Sequence, residues 1–183
     1  MSQTEHPAAL YQLRKVTRII AILILVLVFL GLFLPSDYRV ERSIKINASS
    51  ALVYQNMLKG DYLPQWMFIQ DGRVDAFDGN LAPGQVISLS YDEFDEVGQL
   101  ILVSVSRDKI RFDVRPNSKV NIVHNEMSLA ETDGETWVKW TIQGELNAGL
   151  LGPYLAYFAN DIAGANFEIS LERLKEKMEQ ITF

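Results

Sequence analysis

The sequence predicts an α+β domain preceded by a strongly hydrophobic helix. Three observations lead to this prediction: an unbroken apolar run over 19–34, short alternating runs separated by turn residues over 73–146, and two apolar rows at helical spacing over 154–180. Alternation with a period of two is typical of half-buried strands, whereas apolar residues three or four positions apart are typical of a helix. We therefore predict an N-terminal tail at 1–18, a transmembrane helix at 19–34 and a folded domain at 38–180.

The hydrophobic run Ile19–Leu34 contains no charged side chain and is followed by Pro35, which cannot continue a helix beyond its first turn. A helix of this length spans about 24 Å, slightly less than the ~30 Å hydrocarbon core, and snorkelling by Arg18 would narrow the difference. The run lacks the polar stripe of a core helix, and no small-residue cleavage site follows it. These features favour an uncleaved single-pass anchor over a buried core helix or a signal peptide.

Basic residues around the run predict its orientation in a cell membrane. Arg14, Lys15 and Arg18 precede it, and a positively charged flank favours the cytoplasmic side. Three further basic residues soon after the run weaken this asymmetry. We expect the N-terminus in the cytoplasm and the domain outside it, in the periplasm if the cell is Gram-negative.

The domain is predicted to open with a strand and two short helices. Tyr38–Ile46 alternates polar and apolar residues, as a half-buried strand does. The next four residues, 47–50, supply side chains that cap a helix, which is expected to stop at Gly60. A second short helix is predicted over 62–67.

Six further strands and a long helix complete the prediction. The strands are expected at 73–77, 85–91, 98–106, 109–115, 120–131 and 136–146. Turn residues such as Pro83-Gly84 and Asp133-Gly134 separate them, and connections this short imply antiparallel neighbours. The simplest packing is a curved antiparallel sheet of about seven strands around the helix at 154–180.

This order of elements resembles the helix-grip fold of the SRPBCC, or START-like, superfamily, which includes START lipid-transfer domains, polyketide cyclases and birch-pollen-allergen-like proteins. Arg42–Ala48 resembles the opening strand of that superfamily, and Val53-Tyr54 stands where its first helix usually carries a valine–aromatic pair. Trp66, Pro83-Gly84 and the strand Thr136–Trp140 resemble further sequence habits of the group. The resemblance covers nearly the whole domain.

The resemblance implies an apolar cavity between the long helix and the concave face of the sheet. The residues expected to line it are Trp66, Phe77, Tyr91, Phe112, Met127, Trp140, Tyr154, Phe158, Ile162 and Ala165. Gly164 and Ala165 are small for a helix that fills a core. Two interpretations stay open: these residues leave room for a ligand, or they allow close packing.

Residues with catalytic or metal-binding chemistry form no evident set. His124 and Glu126 lie two positions apart on one predicted strand and would share a face, which permits proton transfer or metal binding. A pair that simply faces solvent is the simpler interpretation. His6 lies in the tail, cysteine is absent, and the acidic group at 92–96 lacks the spacing of a calcium loop. We therefore predict no catalytic residue, no metal and no cofactor.

Charge argues against a nucleic-acid partner. The chain has a net charge of −6, and from Ser36 onward 14 basic residues stand against 22 acidic ones, a net charge of −8. A phosphate backbone would repel such a domain, because no basic stripe offsets its charge.

The predicted function is a membrane-tethered module that binds or transports a hydrophobic small molecule or lipid. A cyclase- or dehydratase-like enzyme using the same cavity, and a protein-interaction module with a closed core, are the alternatives. The expected partners are the bilayer and the hydrophobic ligand, and the sequence identifies no protein partner.

Overall fold

The computed structural model of the chain describes the backbone of residues 7–93, 95–118, 120–146 and 149–182, and their side chains apart from 7–10, 150, 159–162 and 182. The first elements are α1 (Pro7–Gly31), β1 (Asp37–Ile46), α2 (Ser50–Met57) and α3 (Leu63–Trp66). The remaining elements are β2 (Gly72–Val74), β3 (Val86–Tyr91), β4 (Gly98–Val105), β5 (Lys109–Arg115), β6 (Val123–Thr132), β7 (Glu135–Glu145), a 3-10 turn (Gly149–Leu151) and α4 (Gly152–Thr182).

The N-terminal helix differs from the predicted transmembrane helix at 19–34. α1 begins at Pro7, so it includes Arg14, Lys15 and Arg18, and it ends at Gly31 before the apolar run is complete. Within the residues that the structure describes, no helix is long and apolar enough to cross a membrane. The prediction of a transmembrane helix is therefore not supported.

The sheet is a meander from β2 to β7, and β1 then pairs with β7, so β1 and β2 are its two edges. In the described residues it has seven antiparallel strands in the order β1-β7-β6-β5-β4-β3-β2. A two-residue turn joins β6 to β7 through Asp133 and Gly134, whose φ angles of 56° and 79° suit the right-handed twist of a hairpin. The prediction of a curved antiparallel sheet around a long terminal helix is confirmed, although β2 is shorter than predicted and β6 begins later.

The terminal helix uses only one of its two apolar rows to pack on the sheet. Leu171, Leu174 and Met178, which belong to one row, are buried. Phe158 and Ile169, which belong to the other row, are exposed. The sequence gives both rows similar hydrophobicity, so the facing row is decided by contact with the rest of the domain. The first half of α4 consequently leaves much of its apolar surface uncovered.

The two short helices close one end of the sheet. Trp66 of α3 is fully buried and its Nε1 donates a hydrogen bond to the carbonyl oxygen of Met57 over 2.8 Å. The carboxylate of Glu131 on β6 accepts hydrogen bonds from the backbone N and the Oγ of Ser50 at the start of α2, at 2.9 and 2.6 Å. These bonds lower the pKa of Glu131 and tie α2 to the sheet.

A candidate ligand cavity

An apolar cavity of about 170 Å³ lies in the interior next to the segment that follows α3. It is enclosed by the inner face of the sheet, by the segment after α3 and by α4. Its lining residues are Tyr38, Met67, Phe68, Ile69, Leu89, Phe112, Val114, Pro116, Val123, Asn125, Trp140, Ile142, Ala163 and Phe167. None of these described lining residues is charged, so the cavity suits an uncharged, largely apolar molecule.

Aromatic rings form the wall between this cavity and the packed end of the domain. The Trp140 ring centroid lies 4.7 Å from that of Phe167, 5.8 Å from Phe112 and 5.9 Å from Trp66. The contacts with Phe167 and Trp66 are edge-on, which is a favourable arrangement for aromatic pairs. Trp140 on β7 therefore packs against rings from α3, β5 and α4 and also lines the cavity.

One amide interrupts the apolar lining. Asn125 lies on the inner face of β6 between Val123 and Met127, and only 5% of it is exposed. Its Oδ1 accepts a hydrogen bond from Trp140 Nε1 over 3.0 Å, and its Nδ2 donates one to the carbonyl oxygen of Val123 over 2.9 Å. These two bonds offset part of the cost of burying the amide.

Tyr38 stands between the cavity and an open polar groove on the outside of the domain, because its side chain lines both. Its ring lies across Gly144 on β7: a Cβ atom added there would come within 2.6 Å of Tyr38 Cζ. The absence of a side chain at Gly144 therefore leaves the space that the Tyr38 ring occupies. Partial burial raises the pKa of the Tyr38 hydroxyl, which keeps this group neutral.

The small residue Gly164 has a packing role. A Cβ atom at this position would lie 2.0 Å from Nη2 of Arg42, a residue of β1 that reaches across to α4. Nε of the Arg42 guanidinium donates a hydrogen bond to Oε1 of Glu168 over 2.6 Å. Of the two interpretations left open by the sequence, the structure favours close packing at Gly164.

The predicted lining residues fall into several groups. Phe112 and Trp140 line the 170 Å³ cavity, whereas Trp66 and Met127 line, with Phe112, a void of only about 10 Å³ at the packed end. Phe77 and Tyr91 are half-buried against the core. Phe158 and Ala165 are exposed on α4. Tyr154 donates a hydrogen bond to the carbonyl oxygen of Leu27 on α1, and the side chain of Ile162 lies outside the described residues.

His124 and Glu126 share a face, as their spacing predicts, but it is the convex outer face. His124 Nδ1 lies 2.8 Å from Oδ1 of Asp113, and the imidazole side chain is 65% exposed. Glu126 pairs instead with Lys109 and Arg111 at 3.0 and 2.8 Å, and these two hydrogen-bonding cations lower the pKa of the Glu126 carboxyl. Neither residue reaches the cavity, and the described residues contain no cluster of three or more metal-ligating side chains.

Sequence reasoning missed Asn125 and Tyr38. A signal for Asn125 was present, because it alternates with Val123, Met127 and Leu129 and so had to share their inward face. His124 and Glu126, whose side chains carry the more obvious chemistry, alternate with it on the opposite face. Tyr38 needed its partner Gly144, which lies far away in the sequence.

Together, a curved sheet packed around a terminal helix and an apolar cavity beneath that helix define the architecture of this domain. No family model matches the chain and no curated protein matches it. Several solved structures do. Protein CV1439 from Chromobacterium violaceum is 12% identical, with a TM-score of 0.60 and coverage of 77% of this chain and 96% of that one.

Two further similar structures carry more informative names. Ara h 8.0201 is 13% identical with a TM-score of 0.56, covering 78% of this chain and 97% of that one. The di-domain ARO/CYC StfQ from the steffimycin biosynthetic pathway is 12% identical with a TM-score of 0.59, covering 80% of this chain and 52% of that one. At such identities the likeness shows the fold alone, a curved antiparallel sheet around a long terminal helix.

Proposed function

We propose that this chain binds a small apolar or amphipathic molecule in the cavity beside Trp140 and holds it at a membrane. The observation that carries the first part is the cavity itself, which is lined by uncharged side chains in an otherwise closely packed interior. The fold is compatible with such a role, because similar folds include a di-domain ARO/CYC.

The size of the cavity limits the ligand. A cavity of about 150 Å³ lined by apolar side chains is known to stay dry and bind benzene, and this one has about 170 Å³. Drug-sized ligands need roughly 300–1,000 Å³. We therefore propose a ligand, or an inserted part of one, that has the size of a single aromatic ring or a short acyl segment.

Exposed apolar surface supports the second part of the proposal. Large apolar side chains around the C-terminal half of α1 and the residues after it are exposed, among them Leu25 at 68% and Phe33 at 74%. Contiguous apolar surface of this kind favours contact with lipid or with another protein over contact with water. We propose lipid, because Arg14, Lys15 and Arg18 precede the apolar stretch and complement the phosphates of a membrane surface.

The binding part is tested with toluene, a ring-sized apolar probe, by isothermal titration calorimetry on the whole chain in amphipol. The informative variants are Ala163→Leu, which places three extra carbon atoms at the cavity wall, and Ala165→Leu, which makes the same change on the exposed face of α4. We expect saturable binding to the unmodified chain and to Ala165→Leu, and a loss of at least tenfold in affinity for Ala163→Leu.

The matched pair also corrects for toluene that partitions into amphipol, since both variants carry the same surfactant. Equal affinity in the two variants, or no saturable binding to the unmodified chain, would refute the cavity as a ligand site.

The membrane part is tested by cell fractionation and by labelling of introduced cysteines, which the absence of native cysteine makes specific. We expect the chain to appear in the membrane fraction. A water-soluble maleimide is expected to label Glu93→Cys in the domain equally with and without lipid vesicles, and to label Leu25→Cys on the exposed apolar stretch more slowly when vesicles are present. A chain found wholly in the supernatant, or equal labelling of Leu25→Cys in both conditions, would contradict the proposed attachment.

A further inference from the structure

The one buried amide in the lining of the cavity has more hydrogen-bonding capacity than the protein uses. An asparagine side chain offers two N–H donors and an oxygen with two lone pairs. Trp140 Nε1 occupies one lone pair of Asn125 Oδ1, and the carbonyl oxygen of Val123 accepts one of the two N–H groups. One N–H and one lone pair therefore remain on a side chain that lines the cavity.

The position of Asn125 makes this capacity relevant to a ligand. Asn125 faces Phe112 on β5 and Ile142 on β7, so its neighbours across both strand pairings are apolar cavity-lining residues. With 5% of the residue exposed, bulk water has little access to the amide. A polar atom of a bound molecule would make a hydrogen bond there in a low-dielectric environment, where such a bond is stronger and its loss more costly.

We propose that Asn125 recognises one oxygen atom of the ligand, so that the cavity selects an apolar ring-sized body bearing a single hydroxyl or carbonyl group. The inference rests on the proposed binding function and names the chemistry of the ligand. A carbonyl oxygen accepts the remaining N–H of Nδ2. A hydroxyl group matches the amide more fully, because it accepts that N–H and donates to the remaining lone pair of Oδ1.

A purely structural role is the competing explanation for Asn125. Trp140 has a buried indole N–H that needs an acceptor, and Asn125 Oδ1 provides it. Under this explanation the amide positions Trp140 and is indifferent to the polarity of the ligand. The two explanations differ in what they predict for a pair of ligands of the same shape but different polarity.

Toluene and phenol form such a pair, since a methyl group replaces a hydroxyl on the same ring. The quantity measured is the ratio of their dissociation constants, by calorimetry on the whole chain, before and after Asn125→Leu. We expect this substitution to weaken phenol relative to toluene by about tenfold, the effect of losing one good buried hydrogen bond. Gln143→Leu removes an exposed amide on the outer face of β7, outside the cavity lining, and is expected to leave the ratio within about twofold.

A second set of variants guards against misfolding of Asn125→Leu, which leaves the indole N–H of Trp140 without its acceptor. Trp140→Phe removes that N–H and keeps the amide, and the double variant Trp140→Phe/Asn125→Leu removes both. We expect the phenol preference to persist in Trp140→Phe and to fall about tenfold in the double variant.

The outcomes separate this inference from the proposed function. If toluene binds but the ratio is the same with and without Asn125, the cavity stands as a ligand site and the polar recognition is wrong. If Trp140→Phe alone abolishes the preference, Asn125 acts only through Trp140 and the inference also fails. If neither probe binds the unmodified chain, both the proposed binding function and this inference are refuted.

Discussion

The two ends of the interior have nearly the same apolar composition but very different packing. At the end closed by α2 and α3, Leu63, Trp66 and Leu102 leave a void of only about 10 Å³. At the other end, beside Tyr38 and Phe167, about 170 Å³ stays empty. Protein interiors are normally packed as densely as organic crystals, so the hollow end is the exceptional one.

The difference has a structural cause. The helix pair lies over the closed end and inserts Trp66 into the core, where its indole N–H is satisfied by Met57. Within the described residues, the segment 67–69 and α4 cover the other end, where the rings of Trp140 and Phe167 meet at 4.7 Å. Stability and binding are thus expected to depend on two neighbouring regions of the same interior, which share Met67 and Phe112.

The largest expected effect is a loss of stability at the closed end. Leu102→Ala removes a fully buried side chain and leaves a new cavity, which should lower the free energy of unfolding by about 2–5 kcal/mol. Val86→Ala on the neighbouring strand is the control, because Val86 is half-exposed and its truncation should cost about 0.5 kcal/mol or less. Urea unfolding of the whole chain measures both, and similar losses for the two variants would contradict the contrast in packing.

A clash on the helix should have the next largest effect. Gly164→Ala places a methyl group against the guanidinium of Arg42, which must shift and give up its hydrogen bond to Glu168, so we expect a cost of about 1 kcal/mol. If the clash is the cause, the same substitution in an Arg42→Ala background should cost less, because the obstructing atoms are gone. An unchanged cost in that background would show that Gly164 does not serve to accommodate Arg42.

Filling the cavity should raise the free energy of unfolding, whereas the two preceding substitutions lower it. Ala163→Leu adds apolar volume to the cavity, and we expect a gain of about 0.5–1 kcal/mol in the free energy of unfolding together with the loss of toluene binding. The same change at exposed Ala165 should give neither effect. Destabilisation by Ala163→Leu would mean that the hollow end is already as full as the closed one.

The smallest effect is expected on the convex face, which belongs to neither end of the interior. Hydrogen bonds from Lys109 and Arg111 lower the pKa of Glu126 in the folded chain. A lowered folded pKa gives stability that is present above the unfolded value of 4.5 and is lost as the pH falls through the folded pKa. Glu126→Gln should therefore cost at most about 1 kcal/mol at pH 7 and nothing once the pH is well below the folded pKa.

Toluene binding provides the control for this last variant. Glu126 lies outside the cavity, so its substitution should leave the affinity for toluene unchanged. A pH-independent cost of Glu126→Gln would show that the ion pairs with Lys109 and Arg111 do not stabilise the fold.

Much of the fold could be predicted from local patterns. Alternation along Tyr38–Ile46 and the Asp133-Gly134 turn predicted strand and hairpin correctly, because side chains alternate across a strand and a glycine tolerates a positive φ. Less of the candidate site could be predicted. The aromatics were chosen by type and spacing, which identify core residues but not the places where core packing is incomplete.

The N-terminal helix shows a limit of a different kind. The apolar run indicated a helix correctly, but the helix extends to Pro7 and takes in three basic residues. Local composition predicts where apolar residues cluster, whereas the ends of a helix depend on propensity and capping over several residues.

By itself the sequence determined the kinds of element, their order and, where polar and apolar residues alternate as along Tyr38–Ile46, which strand positions face inward. Those properties follow from periodicities of two and 3.6 residues within single segments. Only the tertiary structure decided which apolar row of α4 meets the sheet, that Arg42 reaches over Gly164, and that Trp140 bonds to Asn125 at the edge of a cavity. These outcomes depend on contacts between distant segments, such as the Arg42–Glu168 pair 126 positions apart, and on whether rigid rings fill the volume they enclose.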